Sequence, residues 1–484
     1  MTGEIRFLHT ADVHLGAPLN SGGNTSSRLS RLFNEAGYNS FQYICEQARK
    51  EKVDFIIIAG DLYDREARSV KAARVFVDRC QQLQEEDISV FVIAGNHDPL
   101  TGKKPSFTLP DNVNIFSGNE VEEKKYFSNS GRLQARLLGQ SYRQKFESRS
   151  MYRYFTPEDE RVSNLGLLHT QLDSRNNHYV PVAEKELLNK EGIHYWALGH
   201  IHSPRIINSS SPAIAYSGTP QGRNVTDTGL RGCFLVEMVS GEKPEITFLP
   251  TAEVLYCQLE IDINEMGGDY HSDEQSTPGI NQSPENISEL LTIMHKKAEK
   301  ILKDLKNCRQ QNETKKQVKQ LLPELNRFTI EGKNIYNYFS RQFKGLIVRW
   351  VITGRGPLHG YIAEHRQEAV AEVVRALNEE FQAFNPFLWT HSVHFHTGHS
   401  LPEIENLCRQ NEVFEEINQI VADLLNDSSL QDELCNSWGK VWQGSSEQEE
   451  RLPQRFYPDA KTKERLIEEA RQKILEELLE RGEK

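Results

Sequence analysis

Apolar residues in the first half of the chain recur in short runs that read as strands. The candidates are 5–10, 55–59, 90–94, 113–116, 133–139, 165–169, 195–198, 213–217, 233–238 and 246–250. Between the first few the period lengthens to that of amphipathic helices, over 29–50 and 69–84. The later strands follow one another without helices between them. βαβ units that give way to closely spaced strands predict two packed sheets with helices outside.

The second half has another rhythm. Residues 265–283, EMGGDYHSDEQSTPGINQS, lack apolar periodicity and read as a flexible segment. Ser283-Pro284 has the form of an N-cap followed by proline at the first helical position. The helix it predicts carries Ile287, Leu290, Leu291, Met294, Ala298, Ile301, Leu302 and Leu305 on one face. A strand and turn over 345–361, a helix over 364–381 and a strand around 388–396 complete a small α+β unit. From 401 the chain is helical, ending in a stripe of Leu466, Ile467, Ala470, Ile474, Leu475, Leu478 and Leu479. The expected domains are therefore 1–250, an α+β domain at 251–400, and a helical region at 401–484.

Composition narrows the classes. A chain of 484 residues is too long for one small core, and no run approaches the about 20 apolar residues of a membrane span. The chain enters a strand-like EIRFLHTADVH at once, so no secretory signal is expected. Seven cysteines lie singly, with no CxxC pair, as reduced thiols of a cytoplasmic protein would. The net charge of −12 does not announce a nucleic-acid binder; a local patch, bound cations or a basic partner would have to supply the field.

The candidate chemistry sits where strands should end: Asp12 and His14, Asp61, Asn96 and His97, His169, and His200 and His202. Oxygen ligands beside imidazoles suit Mn²⁺, Fe or Zn²⁺ better than a thiolate-loving ion. A pair of cations can hold a phosphate and an attacking water together. Asp61 is the natural bridge, because Gly60 lets the backbone turn sharply. In an extended chain Asp12 and His14 point the same way, as do His200 and His202. Asn96 offers an amide oxygen without charge, and the adjacent His97 is free to donate a proton.

The order D-x-H, GDxxD, GNHD, H, GHxH resembles the calcineurin-like metallophosphoesterase superfamily. That resemblance implies a four-layer α/β/β/α sandwich followed by a cap-like α+β domain and a helical C-terminal tail. It implies that Asp12, His14, Asp61 and His202 hold one ion. Asp61, Asn96, His169 and His200 would hold the other, with His97 protonating the leaving group. Asp64 and Asp98 match motif positions as supports for these residues. FLHTADVHLGAPL, LGHIHSP, YSGTPQGRN and TGLRGCFLVE are similar to DNA-repair nucleases of the SbcD and YhaO type over about residues 5–238. IVRWVITGRGPLH and FLWTHSVHFHTGHSL match that branch more loosely, and 306–344 looks like a basic helical insertion. The branch implies Mn²⁺-dependent cleavage of DNA and a coiled-coil, SMC-like ATPase partner, with a homodimer left open and no membrane.

Other constellations have two readings. Lys296, Lys300 and Lys303 form either a solvated helix face or a rail for phosphates. Gln221, Arg223 and Asn224 either touch substrate phosphate or build a turn. His391, His394, His396 and His399 form a second metal site or are partly exposed strand residues. The terminal stripe packs on its own domain or docks a partner. The expected function is a metal-dependent DNA phosphodiesterase. A phosphoprotein phosphatase or small-molecule phosphodiesterase is the alternative on the same fold, and a non-enzymatic scaffold is the third reading.

Overall fold

A computed structural model of the chain describes residues 4–64, 69–100, 107–158, 162–174, 178–239, 242–264, 283–308, 316–323, 327–330, 335, 337–399 and 412–437. Nine residues between 462 and 474 are described as well. The segment 265–282, much of the expected insertion and Leu475, Leu478 and Leu479 of the terminal stripe lie outside the described residues.

Two six-stranded sheets form the first half. In one, β1 (Glu4–Thr10), β2 (Phe55–Ala59), β3 (Ser89–Ile93) and β4 (Val113–Ile115) run parallel. Antiparallel β11 (Gly232–Val239) and β12 (Glu245–Pro250) extend it beyond β1. In the other, β6 (Leu133–Gly139), β7 (Ser163–His169), β8 (Tyr195–Gly199) and β10 (Ala213–Tyr216) are parallel. Its antiparallel edges are β5 (Glu122–Phe127) and β9 (Arg205–Asn208).

Burial explains the layering. Every residue of β2, FIIIA, is buried, because such a strand is covered on both faces. On one face Ile56 and Ile58, with Leu8, Val90 and Val92, meet helices α1 (Ser27–Lys50) and α2 (Val70–Gln84). On the other, Phe55 stacks on Phe7 at 5.1 Å, and Phe7 meets Tyr195 of the second sheet edge-on at 5.4 Å. The second sheet turns Leu168, Trp196, Leu198 and Ile214 toward an outer layer that includes Leu187 of the short helix α3 (Glu184–Leu188). The order is helix, sheet, sheet, helix: a mixed α/β fold with two sheets and flanking helices.

The strands absent from the sequence reading are the edges β5 and β9, together with β13 (Val254–Asp262). In β5, EEKKYF, charges protect an edge and leave no apolar run to notice. β13 joins β14 (Gly345–Arg355) and β15 (Phe387–Gly398) in a third sheet. By contact density the chain forms two units, 1–259 with 291–350 and 371–393, and 260–290 with 351–370 and 394–484.

The helix expected after Ser283 starts later, at Ile287, and ends at Cys308. Ser283 is not its cap: its hydroxyl donates to the Ile263 carbonyl at 2.9 Å. Asn286 takes that role, accepting from the Glu289 amide at 3.0 Å. The helix buries Leu290, Met294, Ala298, Leu302 and Leu305. In the terminal stripe Ile467 is buried, and Arg471 donates to Asn418 at 2.7 Å. Among the described residues no helix is long and apolar enough to cross a membrane.

One polar pin joins the sheets. His9 of β1, fully buried, receives the Tyr195 hydroxyl at Nδ1 (2.9 Å) and donates Nε2–H to the Leu198 carbonyl (3.2 Å). Burial pushes its pKa down from 6.5 to about 3. The unfolded chain therefore takes up a proton at a pH where the folded chain does not. Stability should fall by about 1.4 kcal/mol per pH unit from this residue as pH drops from about 6.5 toward 3. Urea unfolding between pH 7 and pH 5 measures it; an H9Q variant should show a shallower slope, and an identical slope would remove His9 from the account.

Candidate metal centre

The centre forms where the parallel strands of the two sheets end. Asp12 and His14 follow β1, Asp61 follows β2, and Asn96 and His97 follow β3. His169 closes β7, and His200 and His202 follow β8. All eight of these residues expected from the sequence come together.

The extended backbone that the D-x-H spacing suggests is not what unites Asp12 and His14. Both sit at positive φ, 51° and 46°, as do Asp61 (52°) and His200 (94°). Residues other than glycine rarely occupy this region, so four site residues lie on strained backbone. Cross-loop bonds hold it: the amides of Asp12 and His14 donate to the carbonyls of Gly60 and Asp61, each at 3.0 Å. Gly60 (φ 96°) and Gly95 are needed for space as well. A Cβ on Gly60 would fall 2.2 Å from His169 Nδ1, and one on Gly95 2.3 Å from Asp61 Oδ1.

Among the described residues three groups of ligand atoms result, one of them His14, Asp64 and His97. Asp12, His14 and His202 place one atom each within 4.8 Å of one another, and so do Asp12, Asp61 and His169. Asp12 is common to these two groups, and Asp61 Oδ2 lies 3.4 Å from His169 Nε2 and 3.9 Å from His14 Nε2, so it reaches a ring of each. Asn96 Oδ1 stands 3.0 Å from both His169 Nε2 and His200 Nδ1.

The outer hydrogen bonds decide what these atoms can hold. His169 Nδ1 donates to the Ala59 carbonyl at 2.9 Å, which turns the lone pair of Nε2 inward, toward Asn96 and Asp61. His202 Nδ1 donates to Asp227 Oδ1 at 3.0 Å, so its Nε2 lone pair faces His14 Nε2 at 3.4 Å. His169 Nε2 and Asn96 Oδ1, acceptors aimed at each other, repel unless a proton or a metal ion lies between them. The donor set therefore fits a pair of divalent ions.

Without an ion, protons take up part of this repulsion. Burial opposes a charged His169, but the Asp61 carboxylate outweighs it and raises the ring's pKa. Burial would raise Asp61 in turn, but the His169 imidazole holds it low. Burial lowers His14, helped by the Arg223 guanidinium, and lowers His200 to about 3, helped by His169. Neutral rings are the form that ligates metal. Burial raises Asp12 despite the nearby imidazoles. Burial would lower His202, but its bond to Asp227 outweighs that and raises it.

Around this core, Asp98 accepts the amides of Gly95 (2.8 Å) and Tyr63 (3.1 Å), tying the loops after β2 and β3 together. Asp64 lies 3.8 Å from both His14 Nδ1 and His97 Nδ1 and pairs with Arg223 at 2.6 Å. His97 meets His14 edge-on, and its side chain is 38% exposed.

Of the three residues read as touching substrate or building a turn, two take part in turn and backbone contacts. Gln221 is buried, with its amide spent on the backbone of Glu253, Val254 and Gly222, so it pins a turn. Asn224 accepts from the Thr226 amide at 2.9 Å, again as turn chemistry. Arg223 does reach the centre, through Asp64. Lys296, Lys300 and Lys303 are exposed on the helix Ile287–Cys308, which supplies no ligand. Asp227 escaped the sequence reading. The signal was available, because a ligating histidine usually donates its other nitrogen to a carboxylate or carbonyl.

Residues 5–204 match the family described as calcineurin-like phosphoesterase. An uncharacterized metallophosphoesterase, YhaO of Bacillus subtilis, is 33% identical over 267 residues, which are 55% of this chain and 65% of the relative. The DNA double-strand break repair protein Mre11 of Archaeoglobus fulgidus is 23% identical, over 53% of this chain and 62% of its own. The SbcD component of the SbcCD nuclease of B. subtilis is 26% identical, over 49% and 68%. The matches to YhaO and this Mre11 thus span a little under two thirds of those relatives' lengths.

Proposed function

We propose, from the premise that residues 5–204 form a calcineurin-like phosphoesterase domain, that this chain hydrolyses phosphodiester bonds of DNA. The reading takes the cofactor to be two Mn²⁺ ions, held by Asp12, His14, Asp61 and His202 and by Asp61, Asn96, His169 and His200. The observation that carries it is the inward convergence of imidazole, carboxylate and amide lone pairs on one point, with a half-exposed imidazole beside it. The names of the Mre11 and SbcD relatives support DNA as the substrate.

When bound, the two cations would supply Lewis acidity, lowering the pKa of a water and taking up charge on the phosphate. The remaining steps belong to side chains. His97, beside His14, can deliver a proton to the departing sugar oxygen. Asp64 stands where it can orient that ring, while Arg223 fixes Asp64. Asp227 fixes the tautomer of His202. Partners follow the same reading: an SMC-like coiled-coil ATPase, suggested by a relative whose own name makes it one component of a larger nuclease, with self-association open.

The test compares Mn²⁺-dependent turnover of linear DNA, bis-p-nitrophenyl phosphate and a phosphopeptide. DNA should be cleaved at least about tenfold more efficiently than the peptide, a gap of about 1.4 kcal/mol in transition-state binding. Preference for the phosphopeptide would turn the assignment into a phosphatase.

A further inference from the structure

We propose that Phe146 and the rings beside it form a stacking platform for unpaired bases next to the metal centre; this rests on the DNA reading above. A series of rings leads out of the cluster. Tyr179 lies against the ligand His200, with centroids 4.6 Å apart and planes 34° from parallel. Phe146 follows, 6.3 Å from Tyr179 and 5.1 Å from the exposed ring of His178. A lone exposed phenylalanine would be ordinary. Phe146, 50% exposed, is instead the outer rung of a ladder whose inner rung touches a ligand.

The platform is held rigidly. The Glu147 amide donates to the His178 carbonyl at 2.8 Å, and the Val180 amide returns a bond to the Glu147 carbonyl at 2.7 Å. Val180, β-branched, is fixed at φ 47°, where its carbonyl takes the Thr170 hydroxyl at 2.7 Å. Glu147 itself is buried and clamped by Arg149, Nε to Oε1 at 2.7 Å. Strained backbone fixed by its surroundings is typical of ligand clamps.

Charge and spacing point to nucleic acid. Lys145 sits 5.8 Å over the Phe146 ring, and Arg143 and Lys145 are exposed beside it in a chain of net charge −12. The two ring steps from His200 to Phe146, 4.6 and 6.3 Å, together match about three nucleotide rises of roughly 3.4 Å each. A base can lie on an aromatic face only when it is out of its pair, so the ligand is single-stranded DNA next to the scissile phosphate.

The experiment measures KM and kcat of the Mn²⁺-loaded full chain on a single-stranded oligonucleotide and on the same oligonucleotide with abasic sites near the cut. F146A should raise KM for the normal strand roughly ten- to a hundredfold, the worth of one lost stack, with the loss falling on KM rather than kcat. F146Y should restore it, and on the abasic strand wild type and F146A should converge. DNA cleavage with unaltered KM in F146A overturns the platform and leaves the nuclease reading standing. An equal F146A defect on normal and abasic strands also overturns it, and assigns the ring to a protein partner or to folding. Wild type that cleaves no oligonucleotide overturns both.

Discussion

Asp61→Asn lowers Mn²⁺-dependent hydrolysis by roughly a thousandfold, the scale of removing a major electrostatic contact from a transition state. The variant keeps the side chain's size and the acceptor that receives the His97 amide at 2.8 Å. It loses the charge that lies between His14 and His169, at 3.9 and 3.4 Å. An amide N–H turned inward would also face the imidazole lone pairs and any cation. Both ions should therefore weaken together, read as a lower Mn²⁺ content and a lower kcat/KM on bis-p-nitrophenyl phosphate. Hydrolysis within threefold of wild type would mean that Asp61 does not join the two groups.

His97→Ala separates proton delivery from metal holding. The ring is not needed for the inward convergence of lone pairs, so Mn²⁺ stoichiometry should stay unchanged. Cleavage of DNA should fall by about 10²–10⁴, the usual range for a positioned acid. The departing sugar oxygen needs a proton, whereas p-nitrophenolate leaves readily without one. The loss should accordingly be much smaller on bis-p-nitrophenyl phosphate. An equal loss on both substrates would assign His97 to binding instead of proton transfer.

Much of this site was legible because its converging residues follow strands rich in buried apolar positions, and such strands read as unbroken apolar runs. The helices α1 and α2 showed for the complementary reason, a clean stripe. The edges β5 and β9 did not show, since β5, EEKKYF, is mostly charged and β9, RIIN, is only four residues long. Spacing picked residues that do converge but misjudged the backbone: Asp12 and His14 meet through left-handed φ angles that no spacing rule contains. Gln221 and Asp227 exchanged expected importance, because a polar residue near a motif reveals its role only through its partners. Gln221 serves the backbone, while Asp227 holds His202.

The central claim is a cage built for two cations, and crystals grown with Mn²⁺ test it most directly by anomalous scattering. Two peaks about 3.5–4 Å apart are expected. One should be touched by Asp12, His14 and His202, the other by Asn96, His169 and His200, and both by Asp61. No peak among these side chains at saturating Mn²⁺ would contradict the account.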